Sequence, residues 1–162
     1  MNIVVIGAGG IGFDVAEFLL KPERSPEELS DAAPELDLQS FLREWGVDLS
    51  YEEGSGLTTP MPHQPARQLY LLQRSQGKVG AGLGKTTGWI HRAQLKQAGV
   101  EMIGGVSYDH VDERGLHLKM GEEARLLEVD HVVVCAGQLP NREIYEELEA
   151  LGVSAHLIGG AD

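Results

Sequence analysis

The chain has 162 residues, 42% of them hydrophobic, which supplies one proper core and would be crowded as two full domains. A formal net charge of −12 excludes nucleic acid or an anionic membrane as the main partner, because both demand a basic surface. The single cysteine, Cys135, excludes a disulfide framework, a cysteine zinc site and an iron–sulfur cluster within this chain, and fits a reducing, cytoplasmic compartment.

Ile3 to Ile6 form a continuous run of strand-forming apolar residues, the pattern of a parallel strand covered on both faces. The run lacks a basic leader and breaks quickly into glycines, so it reads neither as a signal peptide nor as a membrane span. Gly7, Gly9 and Gly12 then fill the G-x-G-x-x-G template. In it the first glycine allows a tight turn, the second admits a diphosphate to the backbone, and the third lets a helix approach the strand. Ile11, Val15, Phe18 and Leu19 recur behind the glycines at helical spacing and are expected to form the buried face of that helix. Strand, glycine turn and helix in succession point to a dinucleotide site, with the helix N-terminus supplying free N–H donors to the pyrophosphate.

From Lys21 to Ala66 the composition turns to proline, serine and acid, with ten acids against three bases, and more than half of the net charge gathers there. The stretch reads as an insertion. Within it, Asp37 to Trp45 place Leu38, Phe41, Leu42 and Trp45 at i, i+3, i+4, i+7 spacing, which predicts a short helix docking its apolar face on the domain or a neighbour. A loop rich in glycine and proline follows from Gly54 to Pro65.

Gln68 to Gln73 resume the sheet, and the residues after them bear on cofactor choice. Sites for NAD usually place a carboxylate here for the ribose 2′-hydroxyl, whereas a basic residue accommodates a 2′-phosphate. This chain has Arg74 and Ser75, and no carboxylate between Arg67 and Lys96, which points to NADP(H). Gly84-Lys85-Thr86 invites a phosphate-loop reading that fails, because Val79 stands where that motif needs glycine. The segment reads instead as a loop beside the cofactor, with Lys78 or Lys85 near a phosphate. Thr87 to Gln97 predict a second helix ended by Gly99, and Val100 to Ile103 a third strand.

Alternating runs at Val106–Val111, Gly115–Met120 and Leu126–Val129 predict an antiparallel meander, a crossover without a helix. Asp130 to Gly137 return as a buried parallel strand whose Ala136 and Gly137 face the cofactor side, and a helix is expected from Glu143 to Leu151. The six histidines show no pair at metal-ligand spacing, such as i, i+4 on one helix, so they read as surface or strand residues and no metal site is expected. No nucleophile elbow, Cys–His pair or carboxylate pair stands out, which is compatible with redox chemistry carried by a cofactor.

GAGGIGFD within Ile3–Leu20, LLQR at Leu71–Arg74, GLGKTTGWIHR at Gly82–Arg92, VSY at Val106–Tyr108, VVCAGQLPNR at Val133–Arg142 and HLIGGAD at His156–Asp162 together resemble the NADPH-binding region of the bacterial 2,4-dienoyl-CoA reductase family. The resemblance implies a Rossmann-like three-layer α/β domain, as in the NAD(P) domain of glutathione-reductase-like flavoproteins. The expected division is a nucleotide domain over residues 1–135, carrying the insertion at about 21–66, and a segment over 136–162 returning towards an FAD domain.

By that resemblance, Gly7, Gly9, Gly10, Ile11 and Gly12 form the pyrophosphate turn, and Arg74, Ser75 and Lys85 serve the 2′-phosphate and loop. Ala136 and Gly137 lead back to the flavin, and Asp162 meets the FAD ribityl chain. NADPH and FAD are the implied cofactors here. An FMN-binding (β/α)8 barrel, an iron–sulfur cluster and the acyl-CoA site are expected only in the full enzyme of unsaturated fatty acid β-oxidation. The chain accordingly reads as cut from a longer polypeptide, with the remaining barrel and FAD domain as its partners and no activity alone. A related FMN and FAD enzyme acting on an amine or enoate, or a non-catalytic interaction module, are the alternatives.

Overall fold

The computed structural model describes residues 1–21, 38–52 and 54–159. Residues 22–37 of the acidic insertion, which carry six of its ten acids, lie outside these residues, as do Glu53 and Asp162. The chain opens with β1 (Asn2–Ile6) and α1 (Gly10–Leu20), followed by α2 (Leu38–Trp45). It continues with β2 (Gln68–Gln73), α3 (Gly88–Gln97) and β3 (Glu101–Gly104). A meander of β4 (Val106–Asp112), β5 (Gly115–Met120) and β6 (Glu123–Leu127) precedes β7 (His131–Val134) and α4 (Glu143–Ala150).

Four parallel strands form one sheet in the order β3-β2-β1-β7, and the meander forms a second, antiparallel sheet. The apolar runs are continuous because the parallel sheet is covered on both faces. Along β1, Ile3 and Val5 pack with Phe13, Ala16 and Leu95 beneath the helices. Val4 and Ile6 pack with Leu116, Leu118 and Leu127 beneath the meander. Leu69 and Leu71 join the helix-side core, while Leu72 joins the other. Each of the buried Val, Leu, Ile and Phe side chains contributes about 1.5–3 kcal/mol. Helices, parallel sheet and meander are thus the three layers of a Rossmann-like α/β fold with a meander crossover.

The face of α1 differs in part from the expectation. α1 buries Gly12, Phe13 and Ala16 and packs Val15 and Leu19 partly against the core, while Ile11 is 56% and Phe18 72% exposed. The cause is Gly12, where a Cβ would collide with the Gly7 carbonyl oxygen; that close approach sets the helix rotation and turns Ile11 and Phe18 outwards. α2 forms as the spacing predicts and tilts Phe41 against Trp45 at 6.4 Å, yet none of its residues is fully buried and Leu38 and Phe41 stay exposed. No helix of the described residues is long and apolar enough to cross a membrane.

Candidate functional site

The order in which strands are added to the sheet reverses at β1 and β7, since β2 and β3 lie on one side of β1 and β7 on the other. A crevice therefore opens above the carboxyl ends of these two strands, the place where open α/β sheets hold ligands. Gly9, Gly10 and Ile11 of the glycine turn face Val134, Cys135, Gly137 and Gln138 across it, around a cleft of about 390 Å³.

The glycines divide the work. Gly7 has φ +108°, a backbone shape that favours glycine, and a Cβ there would press on the Cys135 carbonyl. Its N–H donates to the Leu72 carbonyl at 2.9 Å, and the Cys135 N–H donates to the Ile6 carbonyl at 2.7 Å, so neighbouring strands clamp the turn. At Gly9 and Gly10, by contrast, an added Cβ would meet nothing within 4 Å. That open volume lies beside the first turn of α1, whose leading N–H groups have no intrahelical acceptor. No side chain caps the helix and its first turn carries no acid, so its positive end is left for an outside anion. A cradle of this shape fits a dinucleotide pyrophosphate.

Arg74 and Ser75 follow β2 directly and are exposed. The Ser75 carbonyl accepts the Gly105 N–H at 3.0 Å and the Gln73 side-chain amide at 3.0 Å, which folds the loop back over the strand end. Burial raises the Tyr108 phenol above its ordinary pKa, and the Arg74 guanidinium pulls it partly back, so Arg74 acts on the meander side of the sheet. Lys85 stands exposed on the loop before α3 and lines neither this cleft nor the next, whereas Lys78 does line the latter. That second cleft, about 500 Å³, lies where α3 meets β3 and gathers Lys78, Trp89, Arg92 and Lys96. Ala136 and Gly137 leave the sheet after β7 as exposed chain, and Gly137 has φ +84°.

The structure also joins residues that helical spacing could not. His110, Asp112 and His117 bring one ligand atom each within 4.8 Å of one another on the β4–β5 hairpin. His110 lies directly opposite His117 in the strand register, and Asp112 is two residues on, on the same face. The legible signal was the strand period of two, not the helical i, i+4. The Arg114 backbone N–H, donating at 2.8 Å, holds the Asp112 carboxyl below its ordinary pKa, and His117 adds to the effect.

Similarity to known proteins agrees with this architecture. The chain is similar to a metal reductase of Desulforamulus reducens, 22% identical over 166 residues, a match covering 99% of this chain and 22% of that protein. Its fold is shared with histamine dehydrogenase from Rhizobium sp. 4-9, with a TM-score of 0.55 and 10% identity over 93% of this chain and 17% of the other. It is shared equally with a 2-naphthoyl-CoA reductase in complex with 2-naphthoyl-CoA, with a TM-score of 0.54 and 12% identity over 90% of this chain and 16% of the other. In each case the chain spans less than a quarter of the relative's length. A match to the family described as pyridine nucleotide-disulphide oxidoreductase runs over residues 1–160, nearly end to end, and this chain belongs to that family.

Proposed function

We propose that this chain is the NADPH-binding part of a 2,4-dienoyl-CoA reductase, presenting the nicotinamide to FAD held mainly by other domains of the same enzyme. The observation that carries the nucleotide reading is the glycine turn, open at Gly9 and Gly10, set beside a free helix N-terminus at the switch point of the sheet. NADPH supplies a hydride; the protein binds and orients its donor. The first N–H groups of α1 receive the pyrophosphate, Gly9 and Gly10 give it room, and Gly7 and Gly12 let turn, strand and helix close beneath it. Arg74 offers a planar fork to the 2′-phosphate and Ser75 a hydroxyl, with no carboxylate nearby in sequence to repel it.

The preference for a dienoyl thioester rests on the sequence resemblance, strongest in Gly82–Arg92. Fold likeness does not choose a substrate, being shared by an amine dehydrogenase and a CoA-thioester reductase. Residues 136–159 suit the role of a segment leading to a flavin domain, because α4 buries none of its residues against this one. The FMN and iron–sulfur groups belong, on this reading, to the barrel of the parent enzyme, and the cytoplasm is its compartment.

Fluorescence titration with NADPH and NADH tests the nucleotide assignment. NADPH is expected to bind more tightly, and Arg74→Ala to remove about 10- to 100-fold of that preference, the worth of a charge-assisted hydrogen bond. Equal or absent binding of both nucleotides overturns it. Turnover of 2,4-dienoyl-CoA with NADPH by the full-length enzyme tests the substrate, and turnover of an amine or enoate instead selects the related-enzyme reading.

A further inference from the structure

The hairpin of β4 and β5 carries a cluster that the nucleotide site does not use. A bulge interrupts the ladder between Tyr108 and His110, leaving Asp109 without a partner across the strands. The consequence is local and specific: the Asp109 carboxylate reaches His110 Nδ1 at 3.3 Å and leaves Nε2 of that ring turned towards Asp112. Asp112 divides its two oxygens. Oδ1 accepts the Arg114 N–H at 2.8 Å, while Oδ2 lies 3.0 Å from His117 Nε2 and 4.0 Å from His110 Nε2.

We propose that His110 Nε2, His117 Nε2 and Asp112 Oδ2 form a binding site for a divalent transition-metal ion of the zinc, cobalt or nickel class. Two imidazoles and one carboxylate are the donor set that such borderline cations take, in contrast to the all-oxygen sets of magnesium and calcium. Two of the three donors have an outer partner of the kind that orients metal ligands: a carboxylate on the far nitrogen of His110 and a backbone N–H on the far oxygen of Asp112. Three protein donors leave further positions for water.

The geometry is that of an open site ready to close. The two rings are stacked, 4.1 Å between centroids and 11° from parallel, so their nitrogen lone pairs run side by side. A tetrahedral ion about 2.1 Å from each donor needs them about 3.4 Å apart and convergent. Both rings are partly exposed, with His110 at 54% and His117 at 26%, and χ rotation about half-free side chains brings their nitrogens together around the ion. The ion then pins β4 to β5 next to the two-residue turn at Glu113 and Arg114.

Titration of the chain with Zn2+ by calorimetry, and with Co2+ by visible absorption, tests the proposal. One equivalent is expected to bind, with histidine NMR shifts confined to His110 and His117 and a Co2+ ligand-field band from nitrogen and oxygen donors. His117→Ala and Asp112→Asn are each expected to weaken binding at least tenfold, Asp109→Asn to weaken it about tenfold as the loss of an outer partner, and His131→Ala to leave it unchanged. These side chains are on the surface, and far-UV circular dichroism checks that each variant is folded. Absence of stoichiometric binding by the unaltered chain, or binding undiminished in His110→Ala/His117→Ala, overturns the proposal.

Discussion

Gly10 and Gly12 stand two residues apart in α1 under opposite constraints. A Cβ on Gly12 collides with the Gly7 carbonyl oxygen, which is backbone clamped between strands, so Gly12→Ala is expected to destabilise the fold by about 1–3 kcal/mol in urea denaturation. A Cβ on Gly10 meets nothing, so Gly10→Ala is expected to keep or raise stability by up to about 1 kcal/mol, since alanine suits a helix better. The same Gly10→Ala is expected to weaken NADPH binding about tenfold by filling the pyrophosphate cradle, a cost of roughly 1.4 kcal/mol. Tyr108 reports on Arg74: with the guanidinium removed in Arg74→Ala, its phenolate absorbance is expected to appear at higher pH, with Tyr108→Phe identifying the signal. Asp112 has a depressed pKa in the folded chain, so its contribution to stability is present above the ordinary aspartate value of about 3.9 and is lost as pH falls below it. Urea midpoints of the unaltered chain and Asp112→Asn should therefore differ at pH 7 and converge near pH 2.

At the scale of elements, β1 and β2 were readable because continuous apolar runs bounded by glycine and polar residues leave little choice; Gln68–Gln73 forms as the sequence predicts. Leu71, fully buried in the central part of this sheet, is expected to cost about 2–5 kcal/mol on truncation in Leu71→Ala, measured by denaturant unfolding. The meander was legible from alternation, although β6 begins earlier, at Glu123, because its pairing with Met120 is set by the tight turn rather than by the apolar residues. The face of α1 was not legible from hydropathy. Ile11 and Phe18 are as apolar as Phe13 and Ala16, and the close approach of Gly12 to Gly7 favours the rotation that buries Phe13 and Ala16. The histidine cluster escaped for a related reason: residues 110 and 117 meet across a hairpin, so the helical test could not find them.

Across the whole molecule, the fold and the glycine turn follow from local pattern, and so does Gly137 on the cofactor side, whereas Val134, Cys135 and Gln138 line the cleft only through the sheet order. Arg74 was readable as a basic residue after a strand, while its action on Tyr108 needed the meander folded over the sheet. The loop's composition leaves Lys78 and Lys85 open and the resemblance favours Lys85; the fold places Lys78 in the basic cleft with Arg92 and Lys96, while Lys85 lines neither cleft. These two clefts offer an anion different surroundings, and the proposed function requires the dinucleotide in the first. Amide NMR of the isotopically labelled chain during NADPH titration tests this most directly. The expected result is a set of shifts centred on Gly9, Gly10, Ile11 and Gly137, extending to Arg74 and Ser75 with NADPH but not with NADH; shifts centred on Lys78, Arg92 and Lys96, or none at all, would contradict it.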